Sequence, residues 1–231
     1  MKIIHYIGFI LFFSISLVGC QKKSDKVELD RIYADLSINY SEVTDASSAY
    51  ARFYLDDEEG KRLNLDSESA VFYENIKLTP TFNGSNIYRT YLTGYIDSSE
   101  IVWNDGRGDV FSNSAVIPAP IYALDQSFGT HFNPYQGYDF YWEGDSVGLD
   151  EIVTVSWRVD DPDTSFTLTA TQLEAGLKFA HFSRHAAEMM TWRRAYVTIH
   201  RQRRRPLTEG TPAGGVIRAT YTSGGSALFG Y

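Results

Sequence analysis

Hydrophobic and polar residues alternate over much of the chain beyond residue 30. Ile32, Ala34, Leu36, Ile38 and Tyr40 fall on one face, and Tyr33, Asp35, Ser37 and Asn39 on the other. The same period of two sets Ala49, Ala51, Phe53 and Leu55 opposite Tyr50, Arg52, Tyr54 and Asp56. Successive side chains of a strand point to opposite faces, so the pattern predicts half-buried antiparallel strands. Asp57-Glu58-Glu59-Gly60 supplies a turn ending in glycine, and Leu63-Asn64-Leu65 returns from it, which predicts a hairpin. Further strands are expected over Ala70 to Leu78, Tyr88 to Ile96 and Ile101 to Trp103.

The pattern breaks between Asn113 and Pro120, where Pro118 and Pro120 stiffen a linker-like segment. A second strand series follows it. Val153, Val155, Trp157 and Val159 alternate, as do Phe166, Leu168 and Ala170, then Ala195, Val197 and Ile199, then Ile217, Ala219 and Tyr221. Two series of short strands on either side of a proline joint predict an all-β protein of two tandem antiparallel β-sandwiches, 29–118 and 119–231. With Trp157 in mid-strand, the arrangement resembles the immunoglobulin-like domains of bacterial envelope lipoproteins, although the cysteine pair of antibody domains is absent. Leu173 to Met190 supports two readings. It is a helix with Leu173, Leu177, Phe179 and Ala180 near one face, or a strand from Gly176 to Ser183 with Leu177, Phe179, His181 and Ser183 alternating. The neighbouring strands favour the second.

The N-terminus has another character. Lys2 precedes an almost continuously apolar run from Ile3 to Val18, shorter than the about 20 residues a spanning helix needs and suited to a cleaved signal. It ends in Leu17-Val18-Gly19-Cys20-Gln21, which resembles the box read by the bacterial lipoprotein pathway. The resemblance implies a signal peptide over 1–19, a Cys20 thiol that takes the diacylglyceryl group, and stable anchoring through more than one acyl chain. Cys20 is the single cysteine of the 231-residue chain, so the exported part carries no disulfide. Residues 20–28 are read as lipidated cysteine and flexible tether. Gln21, where aspartate would retain an enterobacterial lipoprotein at the inner membrane, favours the outer membrane. The competing reading is an uncleaved anchor with an incidental cysteine.

Composition narrows the partners. The formal net charge is −8 and becomes −9 once Lys2 leaves with the signal, which makes nucleic acid a poor partner. Aromatic residues make up 15% of the chain, with Tyr 16 and Phe 14, a strand-forming balance.

Several clusters could carry chemistry. His181, His185 and Glu188 would share a face of a helix, in outline a zinc set. The glutamate that a metalloprotease places beside its first histidine is missing, however, and no metal is expected. Asp160-Asp161-Pro162-Asp163 reads as a turn before it reads as a calcium site, and Asp56-Asp57-Glu58-Glu59 as a solvated hairpin tip. Arg107-Gly108-Asp109 is a loop tripeptide that occurs often by chance. Arg193, Arg194, Arg201, Arg203, Arg204 and Arg205 form the one strong basic cluster. Arg203 and Arg204 are its candidate contacts to anionic envelope groups, against the alternative of a charged loop that protects an edge strand. In Asn133 to Trp142, Tyr135, Tyr138 and Trp142 could stack on sugar rings, or Phe140 and Trp142 could plug the core.

No nucleophile elbow, glycine-rich phosphate loop or convincing carboxylate pair is present, and no cofactor is expected. The first expectation is a lipid-anchored envelope protein with a non-catalytic binding or structural role, attached to the membrane and contacting envelope proteins or glycans. The alternatives are a glycan-binding or adhesive module and, third, an envelope hydrolase with an interdomain site.

Overall fold

The computed structural model describes residues 22–82, 86–124, 135–161, 164–190 and 193–228. Among these, the alternating segments form strands. They are β1 (Lys22–Lys23), β2 (Ile32–Ser41), β3 (Ala46–Leu55), β4 (Arg62–Asn64), β5 (Ala70–Tyr73), β6 (Ile76–Lys77), β7 (Thr79–Pro80), β8 (Ile87–Thr93) and β9 (Ser98–Asn104). Next come β10 (Val110–Val116), β11 (Ile121–Ala123), β12 (Tyr138–Gly144), β13 (Glu151–Asp161), β14 (Thr164–Gln172) and β15 (Phe179–Phe182). The helix α1 (Arg184–Met190) precedes β16 (Arg194–Pro206) and β17 (Gly215–Leu228). The protein is all-β, with its sheets stacked as sandwiches.

The main sheet has ten strands. Eight follow the order β1-β4-β3-β2-β17-β16-β13-β14, while β8 pairs with β3 and β7 with β8. Its inner face is the apolar half of each alternating segment: Ile32 to Tyr40 at every second position of β2, Phe53, Val155, Trp157, Val197, Ile199 and Tyr221, all buried. Two smaller sheets cover that face. Strands β10-β9-β5-β6 lie over the first series, where the Trp103 ring packs 4.7 Å from Phe53. Strands β11-β12-β15 lie over the second, where Phe182 stacks on Trp157 at 3.6 Å and Tyr138 and Phe140 flank it. Losing a core tryptophan of this kind costs about 3–5 kcal/mol.

The main sheet is continuous across the two strand series. β17 pairs in parallel with β2 from Gly215 opposite Ala34 to Thr222 opposite Ser41, on the far side of the Pro118 joint in sequence. Here the structure departs from an all-antiparallel arrangement. Local alternation does not encode a parallel pairing between distant segments. The joint itself packs against the structure: Ile117 and Ile121 are buried, and Gly144, at φ 104°, lets β12 approach the Pro120 carbonyl as no side chain would.

The ambiguous stretch contains both elements. The strand is confined to β15, and its buried face is Ala180 and Phe182, while His181 is exposed. The helix begins at Arg184 because the Ser183 hydroxyl accepts the Ala186 N–H at 3.3 Å, and it buries Ala187 and Met190.

Candidate functional site

Alternation splits the basic cluster between two faces. Arg201, Arg203 and Arg205 point to the inner side of β16 and Arg204 to the outer side, since successive strand residues diverge. Each finds acidic or carbonyl partners within the chain. The Arg203 guanidinium reaches Glu151 at 2.7 Å, and Arg205 reaches Asp150 at 2.8 Å. On the outer side, Glu58 accepts both Arg204 and Arg218, and Asp35 accepts Arg218. Burial pushes the Asp35 carboxyl above its usual value even with Arg218 and Arg52 beside it. Burial would raise Asp150 too, but its hydrogen bond with Arg205 and the charge of Arg203 outweigh that and hold it low. Arg203 and Arg204 are therefore held in ion pairs within the chain, Arg204 with its side chain nearly half exposed.

Arg201 is fully buried. Its guanidinium donates to the carbonyls of Asp145, Ala119 and Ser146 and lies 3.7 Å from Glu151. It thus ties β16 to the proline joint and to the loop after β12.

The aromatic segment divides as well. Trp142 is 2% exposed, and its indole N–H donates to the Asp145 carbonyl at 3.1 Å, so it offers no face to a sugar. Tyr138 is half-buried against Trp157. Tyr135 is exposed, with the Arg184 guanidinium 5.7 Å from its ring centre. Thus Trp142 belongs to the core, as the alternative reading had it, because β12 turns Phe140 and Trp142 inward together. Asn133, Pro134, Pro162 and Asp163 lie outside the described residues, as does Cys20 with its signal. Among the described residues, no helix is long and apolar enough to cross a membrane. His181 Nδ1 sits 2.7 Å from Asp139 across β12 and β15, and Glu188 accepts Arg184 at 2.8 Å.

The outer face of the main sheet carries the feature not singled out from sequence. Register places Asn39, Thr220, Gln202 and Ile152 in one row, and Thr222, His200, Thr154 and Thr171 in the next. Side chains bond along these rows. His200 Nδ1 lies 2.9 Å from Thr222 Oγ1, Gln202 Nε2 donates to Thr220 Oγ1 at 3.3 Å, and the hydroxyls of Thr154 and Thr171 are 3.4 Å apart. A shallow cleft of about 440 Å³ opens over them, lined also by Ser48 and Tyr50. The Tyr50 hydroxyl meets that of Tyr91 at 3.4 Å. Burial lowers the His200 pKa, so the imidazole is neutral at neutral pH and the cleft has no ionic side chain in its lining.

No family model matches the chain, and no curated protein matches it in sequence. The cleft must be read from its own chemistry. Its lining offers amide, imidazole and hydroxyl groups that donate and accept hydrogen bonds. The only sequence signal for it was the polar half of each alternating strand, beginning with Tyr33, Asp35, Ser37 and Asn39.

Proposed function

We propose that the protein is a lipid-anchored, non-catalytic binding module of the bacterial cell envelope, held at the outer membrane through Cys20. The observation that carries the binding role is the outer face of the main sheet, which displays cross-strand rows of neutral hydrogen-bonding side chains over a cleft of about 440 Å³. The motive for the anchor is the run Leu17-Val18-Gly19-Cys20. Membrane fractionation with labelled-lipid uptake tests it. The wild type incorporates label and sediments with membranes, whereas Cys20→Ala is released or stays unprocessed; normal labelling and anchoring of the Ala variant overturn the proposal.

One observation favours a glycan as the second reading. The cleft is neutral and polar and has Tyr50 on its wall, the combination that receives a sugar ring and its hydroxyls. Binding of that kind resists salt, unlike contacts between charged groups, which are screened over about 8 Å at physiological strength. Affinity electrophoresis against envelope polysaccharide should show retardation that survives salt and disappears in a His200→Ala, Gln202→Ala double variant. Equal retardation of the double variant sinks the glycan reading.

A further inference from the structure

At the other end of β17 the sheet has a free edge. β2 accompanies β17 only as far as Ser41 opposite Thr222, where the Glu42 N–H donates to the Thr222 carbonyl at 2.9 Å. From Ser223 to Leu228, β17 pairs with β16 alone, and among the described residues no strand is paired with its other edge, although the Ser223 hydroxyl donates to the Ile121 carbonyl of β11 at 2.5 Å. An exposed row of main-chain donors and acceptors is a template for another strand.

A cleft of about 500 Å³ opens beside that edge. Its floor is Val197 and Ile199, reached because β17 carries glycine at 225, opposite Val197. A side chain at Gly225 would meet no atom within 4 Å. Tyr122 and Glu42 also line it. Behind them, the Tyr221 hydroxyl lies 3.1 Å from that of Tyr122 and 3.4 Å from Glu42 Oε2. Tyr40 and Tyr95 complete the aromatic group, donating to Asp45 and Asp97 at 3.1 Å each. Among the described residues none of Glu42, Asp45 and Asp97 has an ion-pair partner. Arg201, Arg203, Arg204 and Arg205 of β16, by contrast, each lie within 4 Å of a carboxylate.

We infer that this notch binds an extended, basic peptide segment of a partner protein, which adds as a strand to the free edge of β17. The inference deepens the binding-module reading and rests on it. Main-chain hydrogen bonds to Ser223 through Leu228 would supply affinity, and alternate side chains would supply specificity. One apolar side chain enters over Val197 and Ile199, where Gly225 leaves room. A lysine or arginine reaches Glu42 and the exposed Tyr122 ring, gaining both charge pairing and cation–π contact. The net charge of −8 favours such a basic partner over a second copy of the chain.

The test uses full-length protein purified from membranes in detergent, and two acetylated, amidated probes: Lys-Val-Thr-Val-Lys-Val and the same peptide with glutamate for lysine. Fluorescence polarisation should show the lysine peptide bound at least about tenfold tighter than the glutamate peptide. Glu42→Lys should reverse that preference. Gly225→Val should abolish binding without lowering the unfolding temperature, because its side chain fills open space. Hydrogen exchange at Ser223 through Ser226 should slow when the peptide is bound. No preference for the lysine peptide, wild-type binding by Gly225→Val, or unchanged exchange overturns the proposal. Slowing of the same amides with protein concentration alone places a second copy in the notch and overturns it as well. Lipid labelling at Cys20 is indifferent to every one of these results, so this inference and the anchoring proposal fail separately.

Discussion

Replacing Arg201 by methionine is expected to destabilise the protein sharply while leaving its surface unchanged. Arg201 is buried to 0% exposure, and Glu151 beside it to 8%. Breaking a buried ion pair by removing one partner costs about 3–5 kcal/mol. Glu151 keeps the Arg203 contact at 2.7 Å and the Gly148 N–H at 3.1 Å, so its charge is not stranded. The carbonyls of Asp145, Ala119 and Ser146 do lose their donor. Methionine restores much of the buried apolar stem but no hydrogen bond. The low end of the range, about 3 kcal/mol, is therefore expected. For a chain of this size each kcal/mol moves the midpoint by about 2–4 °C, so Tm should fall by about 6–12 °C. Thermal unfolding followed by near-ultraviolet circular dichroism measures it, with urea unfolding as a second estimate. Arg204→Met is the control: its pair with Glu58 is nearly half exposed, and such a pair contributes about 0–1 kcal/mol. Equal losses in the two variants would refute the reasoning, because the argument depends on burial and not on charge number.

Two further outcomes follow from the site. Trp142→Ala should cost about 3–5 kcal/mol in urea unfolding, whereas Tyr135→Ala, on an exposed ring, should stay within about 0.5 kcal/mol. His200 has a folded pKa below its ordinary 6.5, so the unfolded chain takes up its proton first. Stability should then decline as pH falls from about 6.5 toward the folded pKa and change no further from this group below it. Subtracting a His200→Gln curve from the wild-type curve should isolate that decline, and parallel curves would show that burial does not perturb the imidazole.

Much of the fold was legible because strand burial follows a period of two. Ile32 to Tyr40, Val153 to Val159 and Ile217 to Tyr221 are buried at the alternate positions that their pattern marked. The same rule applied to Arg201 through Arg205 would have divided them between faces. It could not have supplied Asp150, Glu151 and Glu58, which come from distant turns and strands. The aromatic segment was legible in type but not in exposure, since Trp142 is an equally good core or surface residue until β12 is set against β11 and β15.

By itself, then, the sequence determined the all-β class, the inward and outward faces of its long strands, and the lipobox-like run before Cys20. Those are local properties, set by side-chain period and by neighbouring residues. Tertiary structure alone decided the parallel union of β2 with β17, and with it the rows that bring Asn39 beside Thr220 and His200 beside Thr222. It also decided the free edge where β2 turns away at Ser41. A pairing between segments so far apart depends on which faces both must bury and on which small sheets cover them. No local window of the chain contains that information.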